Sequence, residues 1–306
     1  MNIPLLDRFP GVIGFPVTPF DDNDQLDEVA FRANLEFLTE HDFAALCCCG
    51  SNGEMPSLTI EEFRRVAAVA SETTQGKSGL IMGVGQTLHT AQAMARIARE
   101  SGAEGILLVS PYSNDLSDNG LADYYRRVAE VAEIPVALYQ TKWSGVLSLK
   151  LLDLLSDVEN IAMVKDENGS ISHYVNVRQR FGDRYYWING MAEPFVPAYW
   201  HLGVETYTSG LACFMPEQTM RIGHFARSGD FASLNKMLDD IVTPLYQIRN
   251  RQPGYKCSMI KTAMTLCGLH GGRVRAPLIE MRPEDKRDLE ALLDRVGLLK
   301  TPAAVS

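Results

Sequence analysis

A lysine closes one of the most apolar stretches of this chain, the run Ile161-Ala162-Met163-Val164-Lys165. An ammonium among apolar neighbours loses hydration, so its pKa falls and the amine becomes a nucleophile at neutral pH. The ordinary alternative is a lysine paired with Asp166 or another carboxylate at the end of a strand. Tyr139 closes the run Ile134–Tyr139 in the same way. A phenol there is able to shuttle protons as a general acid–base, or to pack on Trp143 as a rim aromatic. The segment Gly50-Ser51-Asn52-Gly53-Glu54 follows a third apolar run. Its glycines let backbone N–H groups converge on an anion, with the Ser51 hydroxyl as a further donor. As a bare pattern it is equally a tight turn before a helix. Gly190 and Ser209 close two further runs.

These residues must be held by the elements they terminate. Apolar β-branched runs at Val12–Val17, Ala44–Cys49, Leu80–Gly85, Gly105–Pro111, Ile134–Tyr139, Ile161–Lys165, Tyr185–Gly190 and Gly203–Gly210 alternate with helical patterns. The helices are expected over Asp27–Leu38, from Thr59, and over His89–Glu100, Leu121–Ala132, Leu149–Leu155, Ile171–Phe181, Glu193–His201 and Met215–Ala226. Thr59 with Glu62 forms a capping box. Eight strand–helix units imply a parallel sheet closed as a (β/α)8 TIM barrel, an α/β fold whose active site lies at the C-terminal strand ends. A doubly wound open sheet would place a glycine-rich dinucleotide turn after the first strand, where the chain reads PVTPFDDN. Beyond about residue 229 the strand signals stop. Phe231–Ile248, Tyr255–Cys267 and Pro283–Val296 read as helices, giving a catalytic barrel over 1–228 and a C-terminal helical extension over 229–306.

The 306 residues carry 29 basic and 38 acidic side chains, a net charge of −9, which argues against nucleic-acid or anionic-membrane partners. An anionic substrate must then be held by local groups. The six cysteines lack metal-ligand spacing, and the consecutive Cys47, Cys48 and Cys49 read as small core residues. No metal or cofactor site is expected, and a reducing cytoplasmic compartment fits this cysteine usage. The N-terminal stretch lacks the basic start and unbroken apolar run of a signal peptide.

FPVTPF (Phe15–Phe20), GSNGE (Gly50–Glu54), YQ (Tyr139–Gln140) and VKD (Val164–Asp166), in this order, resemble the dihydrodipicolinate synthase/N-acetylneuraminate lyase superfamily of class I aldolases. The resemblance implies a barrel with three extra C-terminal helices, commonly a homotetramer or dimer, working on a small-molecule 2-keto acid without cofactor. It implies that Lys165 forms a Schiff base with the substrate ketone and that Tyr139 is the proton shuttle. Ser51 and Asn52, with the Gly50 loop amides, would hold the keto-acid carboxylate, and Gly190 and Ser209 would admit the substrate to the backbone. The chain departs from dihydrodipicolinate synthases in carrying Ser113 at the second relay tyrosine, and Lys142 and Trp143 where an arginine grips the second substrate. Its tail, Pro244–Ala263 and Gly271–Leu278, resembles the 5-dehydro-4-deoxyglucarate dehydratases, which dehydrate and decarboxylate a sugar diacid. GSNGE with VKD is closer to the 4-hydroxy-2-oxoglutarate aldolases, and a keto-acid-binding barrel without turnover is a third reading. Arg249, Arg251 and Lys256 either close over the distal carboxylate of a diacid or, the favoured reading, form a solvated or subunit-facing patch.

Overall fold

The computed structural model describes residues 3–111 and 115–299. Eight parallel strands close a barrel in strict chain order: β1 (Val12–Gly14), β2 (Ala45–Cys48), β3 (Gly79–Val84), β4 (Gly105–Val109), β5 (Val136–Thr141), β6 (Ile161–Glu167), β7 (Tyr186–Asn189) and β8 (Tyr207–Ser209). The helices between them are α1 (Glu28–Thr39), α2 (Ile60–Thr74), α3 (Leu88–Glu100), α4 (Asp118–Ala132), α5 (Leu149–Leu154), α6 (Ile171–Phe181), α7 (Val196–His201) and α8 (Pro216–Ser228). Short polar side chains start most of them. Asp27, Thr59, Thr87, Ser117, Ser148 and Ser170 each accept a bond from a first-turn N–H, and Glu62 completes the capping box at Thr59.

Strand alternation divides the core. Ile13, Cys47, Ile81, Leu107, Ala137, Met163 and Ile188 fill the barrel interior, and Leu5 from an N-terminal turn joins them. Leu46, Cys48, Leu108, Leu138 and Val164 belong instead to the core shared with the surrounding helices. Because the strand period is two, Lys165 and Glu167 share the inward parity of Met163, whereas Asp166 faces the helical layer. There Asp166 accepts bonds from Gln140, Tyr199 and the backbone of Asn168 and Gly169.

Several strands are shorter than the sequence suggests, β1 and β8 most of all. After Gly14 the chain leaves the β1–β2 pairing, and Phe15 N–H bonds to the Ser209 carbonyl. Gly203 and Val204 are spent in ending α7, their N–H groups on the Trp200 and Tyr199 carbonyls, and β8 begins only at Tyr207. β6 runs two residues longer than expected, because Asp166 and Glu167 pair with Gln140 and Thr141 of β5.

The helices after the barrel are α9 (Phe231–Met237), α10 (Thr243–Arg249), α11 (Tyr255–Leu266) and α12 (Pro283–Arg295). A single helix was expected over Phe231–Ile248. Instead α9 and α10 are joined by a π-helical turn, Leu238–Val242. Pro244 lies just beyond it, and having no N–H it cannot continue a regular i to i−4 ladder. No helix among the described residues is long and apolar enough to cross a membrane.

Candidate active site

At the C-terminal ends of the strands a cavity of about 1150 Å³ opens, lined by residues of the strand ends, the Gly50 loop, α10 and α11. Lys165 stands at its floor with only 3% of its surface exposed. Tyr139 is its register partner on β5, and the ammonium lies 3.8 Å from the centre of the phenol ring. Phe15 covers the other side at 5.2 Å. The Tyr139 hydroxyl donates to Glu167 Oε2, and Lys165 Nζ lies 3.1 Å from the same oxygen. Lys256 Nζ, reaching in from α11, is 2.6 Å from Glu167 Oε1. One carboxylate thus ties together a phenol and two ammonium groups.

Electrostatics follow from this burial. Desolvation lowers the Lys165 pKa and the Lys256 charge lowers it further, while the Glu167 carboxylate opposes them. Burial raises the Tyr139 phenol well above its usual range, and Glu167 raises it again, with a bond to Ser51 pulling the other way. Burial would raise Glu167 too, but the two ammonium groups and their hydrogen bonds hold it well below the usual carboxylate range. Cys47, beneath the site, is pushed up to about 12 by burial and is no nucleophile at neutral pH.

The loop 50–54 follows Cys49 in left-handed backbone (φ 53°) and ends on Glu54 in the same region (φ 51°). Ser51 is exposed to the cavity and Asn52 is buried beside it. Asn52 Oδ1 has no hydrogen-bond partner among the described residues. The amide group packs so closely on Gly210 that a Cβ there would stand 2.3 Å from Asn52 Nδ2. Gly190 meets a similar constraint, since its Cβ would lie 2.8 Å from the Asp166 carbonyl and 3.0 Å from Lys165 Cγ. Beneath the loop, Glu54 Oε1 and Lys261 Nζ form a buried ion pair at 2.5 Å. Glu54 Oε2 also accepts from the Arg275 N–H, so the tail is bonded directly to the loop.

Ser209 requires a correction. It does not line the cavity, which is bounded there by Thr208, Gly210 and Leu211. Its buried hydroxyl donates to Glu193 and accepts from Ala212 N–H. Glu193 in turn accepts from Tyr246 of α10, a cavity-lining residue, at 3.0 Å, so Ser209 anchors the cavity wall through Glu193. The basic cluster near the tail divides. Arg249 and Lys256 line the cavity, whereas Arg251 is held by Asp285 and Asp288 at 2.7 and 2.6 Å.

The model of the dihydrodipicolinate synthetase family matches residues 8–296. The chain belongs to this family. It is 32% identical over 289 residues to a probable 5-dehydro-4-deoxyglucarate dehydratase of Azotobacter vinelandii, an alignment covering 94% of this chain and 95% of that protein. It is 33% identical over 293 residues to a Bradyrhizobium diazoefficiens protein of the same description, covering 95% and 93%. Among solved structures, dihydrodipicolinate synthase from Oceanobacillus iheyensis superposes with a TM-score of 0.89 at 26% identity, covering 96% of this chain and 98% of that one. The enzyme from Aquifex aeolicus gives 0.87 at 28%, covering 96% and 100%. The chain is thus a lyase- or aldolase-class member of the dihydrodipicolinate synthetase family.

In this family member Lys165, Tyr139, Gly50, Ser51, Asn52 and Gly190 all line the same cavity. Ser113 lies outside the described residues. Glu167 and Tyr246 escaped the sequence reasoning. Glu167 lies two residues past the expected end of the run Ile161–Lys165, and Tyr246 lies within the helix expected over Phe231–Ile248. The alternation Met163, Lys165, Glu167 was the available signal for the first, and Pro244 for the second.

Proposed function

We propose that this protein is a Schiff-base lyase acting on a dianionic 2-keto acid, with a 5-dehydro-4-deoxyglucarate-type substrate that it dehydrates and decarboxylates. The observation carrying this reading is the charge of the cavity. Its charged lining comprises Lys142, Lys165, Arg249 and Lys256 against the single carboxylate of Glu167. A molecule of net charge −9 thereby keeps a cationic pocket for an anion with two ends.

In this reading the Lys165 amine attacks the ketone and water leaves, forming a cationic imine. That cation accepts electron density from C3 when its proton is removed, which permits loss of the C4 hydroxyl as water. Tyr139, over the amine, carries protons between nitrogen and oxygen. Ser51 and Asn52 receive the carboxylate next to the ketone, and Arg249 with Lys142 receives the distal one. The names of the relatives support the dehydratase branch. Assembly as a homotetramer or dimer belongs to the same reading. Leu116, Trp143 and Val146 leave apolar surface exposed for it, and light scattering checks it.

The test is product analysis. Incubation with 5-dehydro-4-deoxyglucarate is expected to release carbon dioxide and 2,5-dioxopentanoate, and to stop in Lys165→Ala. Pyruvate formed from 4-hydroxy-2-oxoglutarate, with no turnover of the sugar diacid, would move the reading to an aldolase.

A further inference from the structure

We infer that Glu167 is a catalytic acid–base of imine formation, exchanging the proton of the Lys165 nitrogen directly. Three observations carry this. Glu167 Oε2 is 3.1 Å from Lys165 Nζ, the atom that must lose protons. The same oxygen accepts from the Tyr139 hydroxyl, the other proton carrier of the site. The carboxylate reaches the cavity only because β6 continues through its pairing with Thr141, which gives Glu167 the inward parity of Lys165. The inference rests on the Schiff-base reading above but not on the identity of the sugar acid.

The protons balance without any further reagent. The Lys165 ammonium gives one proton to the Glu167 carboxylate, leaving a neutral amine beside a neutral acid. The amine lone pair forms the C–N bond, and the carbonyl electrons move to oxygen. Through Tyr139 one proton passes from nitrogen to that oxygen, giving the neutral carbinolamine. Glu167 then returns its proton to the hydroxyl as the C–O bond breaks, releasing water while the nitrogen lone pair forms the C=N bond. The carboxylate ends ionised beside a cationic imine, as it began beside an ammonium. Other ionisable groups facing the pair are Tyr139 of β5, Cys47 of β2, Lys256 of α11 and Tyr246 of α10, whose phenol feels the Glu167 charge. Lys256, 2.6 Å from the second carboxylate oxygen, fixes the carboxylate's position.

The experiment is timed mixing with pyruvate followed by a borohydride quench, the adduct being counted by mass spectrometry across about pH 6–10, a range that ends near the ordinary lysine pKa of about 10.4. Wild-type protein is expected to trap pyruvate over a broad neutral plateau, the rate falling where the shared proton is lost. Glu167→Gln is expected to slow trapping about a hundredfold or more at neutral pH, with a rate that now rises with pH. A purely electrostatic role gives the opposite result. Removing the anion makes the amine less basic, so trapping at neutral pH would equal or exceed that of wild type, and that result overturns the inference. Should Glu167→Gln fail to melt cooperatively, Glu167→Ala with added formate replaces it. Rescue that grows with formate supports the role, and full trapping without formate overturns it. Wild-type protein that traps no pyruvate would instead remove the Schiff-base reading beneath both.

Discussion

Lys165 and Glu167 are two residues apart and meet in one cavity, with opposite consequences for stability. The Glu167 carboxyl is held below its usual 4.5 because Lys165 and Lys256 favour its ionised form in the folded chain. A carboxyl depressed by folding contributes stability above its unfolded pKa and loses it as pH falls, since the unfolded chain then binds more protons. Glu167→Gln is therefore expected to be less stable than wild type near neutrality, with the gap closing as pH drops below about 4.5. Urea unfolding of both proteins between pH 3 and pH 7 measures it, and a gap that widens on acidification would contradict the assignment. At this scale the sequence was legible where polarity changed abruptly. A lysine after four apolar residues and a tyrosine closing its own apolar run stand out. Glu167 did not, because a charged residue two places past an apolar run reads as the start of a loop. Only the pairing with β5 shows that the strand continues.

Among the elements, the loop 50–54 depends most on distant parts of the chain. It follows Cys49 and ends on Glu54, both in left-handed backbone, and Glu54 is neutralised by Lys261 of α11, the pair nearly inaccessible to water. Removing one member of a buried pair leaves the other charge unpaired, which costs about 3–5 kcal/mol. Lys261→Met is expected to lose that much stability in chemical unfolding and to displace the loop. The double change Glu54→Gln with Lys261→Met recovers much of it. Equal stabilities for the single and double variants would show that the pair does not couple the loop to α11. The eight strands and eight helices were legible from periodicity and capping residues. The break in the first tail helix was not read, although Pro244 marks it. The strand ends at Phe15–Val17 and at 203–206 depended on tertiary bonds made by neighbouring turns.

For the molecule as a whole, a chain of net charge −9 holds a cavity with a cationic lining. The barrel provides the amine, the phenol and the loop, whereas α10 and α11 bring Tyr246, Arg249 and Lys256. The sequence reading left that basic group on the surface because charges on a terminal helix usually are. Nothing local distinguishes Arg249 facing the cavity from Arg251 bound to Asp285. If Arg249 receives a distal carboxylate, Arg249→Gln is expected to raise KM for the diacid about tenfold to hundredfold, the effect of losing one charge-assisted hydrogen bond. A smaller change in kcat is expected alongside, and steady-state kinetics separates the two. An unchanged KM would return Arg249 to the surface and weaken the diacid assignment.

The most direct measurement is peptide mapping of the adduct formed when folded protein is mixed with pyruvate and reduced with borohydride. A single adduct on Lys165, absent in Lys165→Ala, is the expected result. An adduct confined to Lys142 or Lys256, or none on protein shown to be folded, would contradict the account at its centre.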